Sequence, residues 1–157
     1  MVITVIWGAA LFLLLSFAVT KRGLHLFEGI IIWVFLLFIE NNVLWLVCMN
    51  AKLIEMTKQE LDFVALDALR SVIVPLLTIL FLEKVSIRER KSGQVRDWIG
   101  IVFLLFGIEY AADFLGLLQH ISTWQWWWSF SWWAAFVLLS YAMHRLIRRI
   151  AKKDVRI

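Results

Sequence analysis

One cysteine and one proline are all the chain holds of either residue in 157 positions. A lone thiol, Cys48, excludes an internal disulfide and any cysteine cage for a metal, and reads as a small buried or interfacial side chain. No internal repeat, low-complexity linker or boundary for a second module is visible, so residues 1–157 form a single domain. Charge is scarce too: 18% of residues are charged against 62% hydrophobic, with a mean hydropathy of +0.83. A soluble domain of this length needs far more polar surface, so the chain is expected to be an all-α integral membrane bundle. No HExxH, GxSxG, Walker or CxxC pattern occurs, which leaves an enzyme reading without a motif behind it. No basic stretch precedes the apolar residues 1–20, and Lys21-Arg22 follow them, so this segment is read as a retained helix rather than a cleaved signal.

Present instead are five apolar segments, about residues 2–20, 24–49, 58–83, 98–118 and 127–147, each long enough to span a bilayer as a helix. Thirteen of the sixteen Lys and Arg fall at Lys21-Arg22, in the 84–97 connection or from Arg145 onward, whereas the other side holds only Lys52 and Lys58. The positive-inside rule then puts the N-terminus outside and the C-terminus in the cytoplasm of a cell-membrane protein with five spans. The net charge of +4 is accounted for by lipid headgroups, and nucleic acid is not an expected partner.

The second segment is interrupted by Glu40-Asn41-Asn42, and the third carries Asp67, Arg70 and Pro75. Thr57-Lys58-Gln59-Glu60 fits a capping box, so the third helix is expected to begin at Lys58. Pro75 has no N–H and should free the carbonyl of Ser71. The fourth segment, expected near the centre of the bundle, holds Glu109 and Asp113 one turn apart on one face. A charged carboxylate in hydrocarbon costs roughly 2.5–3.5 kcal/mol on insertion scales unless it is paired, neutral or hydrated.

Helical rise places Glu40, Arg70 and Glu109 each about 13 Å from the outer surface, with Asp67 and Asp113 at about 8–9 Å. The five residues are therefore expected to share one outer-leaflet layer. Asp67 and Arg70, three residues apart, can pair within one helix while Glu40 and Glu109 accept further bonds from the guanidinium. Four carboxylates against Arg70 leave three uncompensated, so either protons stay bound or a cation or amine completes the site. Asn41 and Asn42 can add neutral hydrogen bonds, for a ligand or between helices.

The last segment opens with six tryptophans between Trp124 and Trp133, most simply an aromatic belt at the membrane edge. The stripe Trp126, Ser129, Trp133, Phe136, Ser140 and His144 is the expected inner face, where a ring could meet a cation. Gly107/Ala111 and Ala112/Gly116 are small enough for close helix approach. On the basic side His25, Glu28 and His144 lie near one level and could share a metal, but interfacial histidines are more often solvated. Neither a metal nor a cofactor is expected.

Glu109-Tyr110, Gly116-Leu117, the tryptophan-rich turn with Ser129-Phe130 and the closing His144-Arg145 carry a resemblance over residues 105–147. In these features the chain resembles an uncharacterised family of small multi-pass, tryptophan-rich membrane proteins of spore-forming Gram-positive bacteria, which has no activity to carry over. Five helices and many tryptophans are also similar to the translocator-protein family, but the lone Pro75 and the lack of Trp-Pro motifs count against it.

Two functional classes follow. One is a module that binds a proton, cation or amine at the acidic layer, in association with a membrane-protein partner or a second copy. The other is a structural or accessory subunit whose polar layer only locks helices together. An enzyme using Glu109 or Asp113 as acid–base ranks below both.

Overall fold

The computed structural model describes residues 2–19, 26–87 and 91–154. Among these the chain forms five continuous helices. α1 is Val2–Val19, and α2 is Leu26–Trp45, prolonged by a π-helical turn, Leu46–Asn50. α3 runs in line through Glu60–Ala68, a π-helical turn Leu69–Ile73, and Val74–Ile87. α4 is Lys91–Phe114 and α5 is Trp126–Asp154. The all-α expectation holds, with one addition. Two short strands, β1 (Ile54–Met56) and β2 (Leu118–His120), pair antiparallel with Ile54 opposite His120. Ile54 and Leu118 turn inward while Glu55 and Gln119 are exposed, the period-two alternation of a ribbon lying on a core.

The ribbon explains why the third helix starts later than the capping pattern suggests. β1 keeps Thr57 tied to the connection between α4 and α5, through its N–H to the Leu117 carbonyl at 3.2 Å. The Thr57 hydroxyl then accepts from the N–H of Gln59 at 3.3 Å, a local turn rather than a cap. Helix α3 begins at Glu60 with Gln59 as an N-cap that makes no side-chain bond. The fourth helix also differs from the 98–118 expectation. It starts at Lys91, its early turns tied back to α3 where Lys84 meets Asp97 at 3.2 Å. It stops at Phe114 because Gly116 adopts φ +73. The N–H groups of Gly116 and Leu117 return to the carbonyls of Asp113 and Ala112 at 2.9 and 3.0 Å, a Schellman closure. Leu117 and Ala112 are both buried, the apolar contact that accompanies such an ending.

Pro75 behaves as expected. Within α3 the Ser71 carbonyl has lost its intrahelical donor, and the indole Nε1 of Trp33 on α2 donates to it at 3.0 Å. The π-helical turn Leu69–Ile73 lies immediately before the proline.

Helix α3, not α4, is the centre of the bundle: it packs against α1, α2, α4 and α5, whereas α4 lies against α3, α5 and β2. One apolar core joins Ile32 and Leu36 of α2, Val74 and Leu82 of α3, and Leu105 of α4 to Phe136 of α5. A second joins Ala10 of α1 to Ala65 and Leu66 of α3 and to Leu117. Gly107 does not serve close packing, since a Cβ there would meet nothing within 4 Å. The outside is apolar as well: Phe12, Phe38 and Phe114 are 70%, 66% and 92% exposed. Two helical stretches, Phe27–Asn50 and Glu60–Val85, are long and apolar enough to cross a membrane, and Val2–Ala18 is apolar but shorter.

Candidate functional site

Polar side chains gather where α2, α3, α4 and the start of α5 meet under the ribbon. Arg70, in the π-helical turn of α3, reaches across to Glu40 on α2. Its Nε and Nη2 both donate to Glu40 Oε1, at 2.9 and 2.7 Å. Glu40 is 2% exposed, and its second oxygen, Oε2, is buried with no hydrogen-bond partner. A buried carboxylate satisfied on one oxygen only is an unusual arrangement that calls for an explanation.

Glu109 on α4 forms the second half. Its Oε1 accepts from the Ser129 hydroxyl at 2.9 Å and faces His120 Nε2 at 3.0 Å, and its Oε2 accepts from the indole of Trp133. Ser129 in turn accepts from the Trp124 indole at 2.8 Å. His120, on β2, stands between two carboxylates: its Nδ1 lies 3.3 Å from Asp113 Oδ2, and its backbone N–H points at Asp113 Oδ1 at 3.4 Å. With an acceptor at each ring nitrogen the favoured form is the imidazolium. The hydrogen bond to Glu109 is the first cause holding its pKa above the ordinary value; burial opposes it, and Asp113 adds to it.

The expected residues therefore separate. Glu40 and Arg70 form one pair, and Glu109 and Asp113 are joined through His120. Asp67 does not pair with Arg70. It is exposed, and the change of helix register at Leu69 turns the guanidinium toward α2 instead. Asn41 and Asn42 are exposed, and the Asn42 amide donates to the Phe38 carbonyl of its own helix at 2.7 Å, so neither joins the cluster. Asn41 lines, with Asp67 and Arg70, a separate cleft of about 260 Å³ between α2 and α3. Of the α5 stripe, Ser129, Trp133, Phe136, Ser140 and His144 are buried, but Trp126 is 65% exposed at the helix's first position. His120 was not among the expected residues. The available signal was its position as the one titratable side chain in a connection, LQHISTWQW, that lacks Asp, Glu, Lys and Arg.

His120 also changes the charge balance. With the imidazolium counted and Asp67 at the surface, the enclosed groups carry one uncompensated carboxylate rather than three, and that one is nearest Asp113, about one-third exposed. Of the expected metal group, His25 lies outside the described residues, and Glu28 and His144 are both buried. Among the described residues no three His, Cys, Asp or Glu side chains group so as to hold a metal ion.

The two halves border one cavity of about 300 Å³. Glu40, Arg70 and Glu109 are its charged lining residues, and Trp124, Trp128, Trp132 and Trp133 line it as well. Ile54 and Leu118 of the ribbon also line it. That volume is at the lower end of the range for small-molecule sites, and an apolar wall with a few convergent polar groups is their common composition.

Compared with protein-family models, curated proteins and solved structures, the chain matches none.

Proposed function

We propose that the chain is a five-span cell-membrane protein, N-terminus outside and C-terminus cytoplasmic, that binds a cationic group in this cavity: a proton or the amine of a compact apolar molecule. The membrane part of the reading is supported by the two long apolar helices, by the exposed apolar residues around the bundle and by the concentration of Lys and Arg at one end. Resemblance to the Gram-positive membrane family is part of the same proposal and rests on residues 105–147.

The observation that carries the ligand is the unpartnered, buried Oε2 of Glu40 beside an aromatic-walled cavity. An ammonium group there would donate to Glu40 while lying near tryptophan faces, which attract cations most strongly of the aromatic rings. Glu109 already has three donors, so its role is to hold α4, β2 and α5 together at the cavity's edge.

The test is a titration of the protein in lipid nanodiscs with a medium-chain alkylamine and with the alcohol of the same length, followed by tryptophan fluorescence. The amine is expected to bind about tenfold or more tightly than the alcohol, the worth of one charge-assisted hydrogen bond. Glu40→Gln should remove that preference. Equal affinity for amine and alcohol, or no binding of either, overturns the reading.

A second reading, an accessory subunit with a purely structural polar layer, draws on the complete pairing of Glu109. Capture of the tagged protein from its own membrane with a defined membrane protein or a second copy, together with a failed amine titration, would favour it. Double substitution Glu109→Gln with Asp113→Asn should then cost stability and leave no other phenotype.

A further inference from the structure

A separate pocket of about 350 Å³ lies at the opposite, basic end, between the end of α3, the first turns of α4 and the second half of α5. Tyr141, His144, Arg145 and Arg148, together with Arg149, project into it from α5, the spacing of one helix face. Gln94 of α4 closes the other side and donates to the Val85 carbonyl of α3 at 3.5 Å. Among the described residues three guanidinium groups line this pocket and no carboxylate does. Of the described acidic residues on the surrounding helices, Asp97 is engaged by Lys84 at 3.2 Å, Glu83 is buried in α3, and Glu28 is within electrostatic reach of His144; none of them lines the pocket.

Two observations indicate that this is more than a solvated basic face. His144 is 3% exposed, and its Nδ1 is buried with no hydrogen-bond partner while the residue lines the pocket. Arg145 is held over the Tyr141 ring, its guanidinium carbon 5.1 Å from the centroid, so one cation is already positioned at the rim. A buried ring nitrogen without a partner is as uncommon as a half-satisfied carboxylate, and an acceptor entering from the pocket would complete it. Guanidinium forks match the tetrahedral oxygens of a phosphate, which can take several charge-assisted hydrogen bonds at once.

We propose that this pocket binds a phosphate group, with Arg145, Arg148 and Arg149 as its cationic clamp and His144 Nδ1–H as the donor at its floor. The phosphate is either a free anion or the headgroup of an anionic phospholipid, and the two sources share this chemistry.

The experiment uses the full chain in two forms. In phosphatidylcholine nanodiscs, inorganic phosphate is titrated against chloride at matched ionic strength. In mixed micelles, native mass spectrometry counts phosphatidylglycerol retained against phosphatidylcholine. The variant Arg145→Gln with Arg149→Gln removes two exposed cations and should leave the fold intact; Arg96→Gln removes an exposed cation of α4 that does not line the pocket. The expected result is phosphate binding or phosphatidylglycerol retention by the wild type, weakened about tenfold or more in the double variant and unchanged in Arg96→Gln. Response to inorganic phosphate identifies a free-anion site, and retention of phosphatidylglycerol without it identifies a headgroup site. Absence of both overturns the proposal. An equal loss in Arg96→Gln overturns it as well, because general surface charge would then be the cause.

Discussion

The indole of Trp33 occupies the hydrogen-bonding position that Pro75 vacates, donating from α2 to the Ser71 carbonyl of α3 at 3.0 Å. A proline inside a helix removes an N–H and leaves one carbonyl without its donor. Here a neighbouring helix supplies the replacement, so a local defect becomes a tie between two elements.

Trp33→Phe should therefore destabilise the protein by about 1–3 kcal/mol through an unsatisfied, half-buried carbonyl, besides any packing loss. On a Pro75→Ala background the helix regains its own donor, and the same change should cost less. Thermal unfolding of the four proteins in detergent measures the difference. Equal costs on both backgrounds would mean that the indole acts through packing alone.

Arg70→Leu leaves Glu40 buried beside apolar neighbours with neither oxygen paired. The expected loss is about 3–5 kcal/mol, the usual effect of stripping one partner from a buried pair. Adding Glu40→Leu should restore most of it, which unfolding measurements on the single and double variants would reveal.

His120 gives a pH dependence with a definite sign. Its pKa is raised above the ordinary value of 6.5, first by Glu109 and further by Asp113. The stabilisation is complete below about 6.5, where the ring is charged folded or unfolded, and is lost as the pH rises through the higher folded value. Protection from hydrogen exchange at the backbone N–H of His120 and its ribbon neighbours, taken relative to the base-catalysed intrinsic rate, should fall across that window, and His120→Gln should flatten the change. Lower protection on acidification would contradict the clamp.

Two turn positions make opposite predictions. Gly116 sits at φ +73 with open space around it, so Gly116→Ala should cost about 1–2 kcal/mol purely in backbone conformation. Lys52, a non-glycine at φ 51, should gain about 1 kcal/mol when changed to glycine. Paired unfolding curves would check both signs.

The carbonyl freed by Pro75 and the inward stripe on α5 were legible in the sequence because each depends on spacing within one helix. Ser129, Trp133, Phe136, Ser140 and His144 recur at helical intervals, and that period survives folding. Arg70 was legible as a residue in need of a carboxylate, with Glu40 among its expected acceptors, but which of Asp67, Glu40 and Glu109 it would choose was not. Asp67 is the near neighbour in the chain, and the π-helical turn that directs the guanidinium to Glu40 leaves no mark in composition. The ribbon escaped for another reason. Strands of three residues carry almost no periodic signal, and β1 acquires its strand character only from β2. With the ribbon hidden, His120 had no reason to lie beside Glu109.

The ribbon also bears on how the chain is made. β1 emerges from the ribosome after α2, but its partner β2 follows α4, so the first strand stays single while two further helices are synthesised. Its pairing is thus one of the last events of assembly, and it brings His120 to Glu109 in the same step. A chain stalled before β2 is made would leave Leu53 to Met56 as an unclosed edge, a ready mark by which quality-control proteases could tell unfinished copies from finished ones.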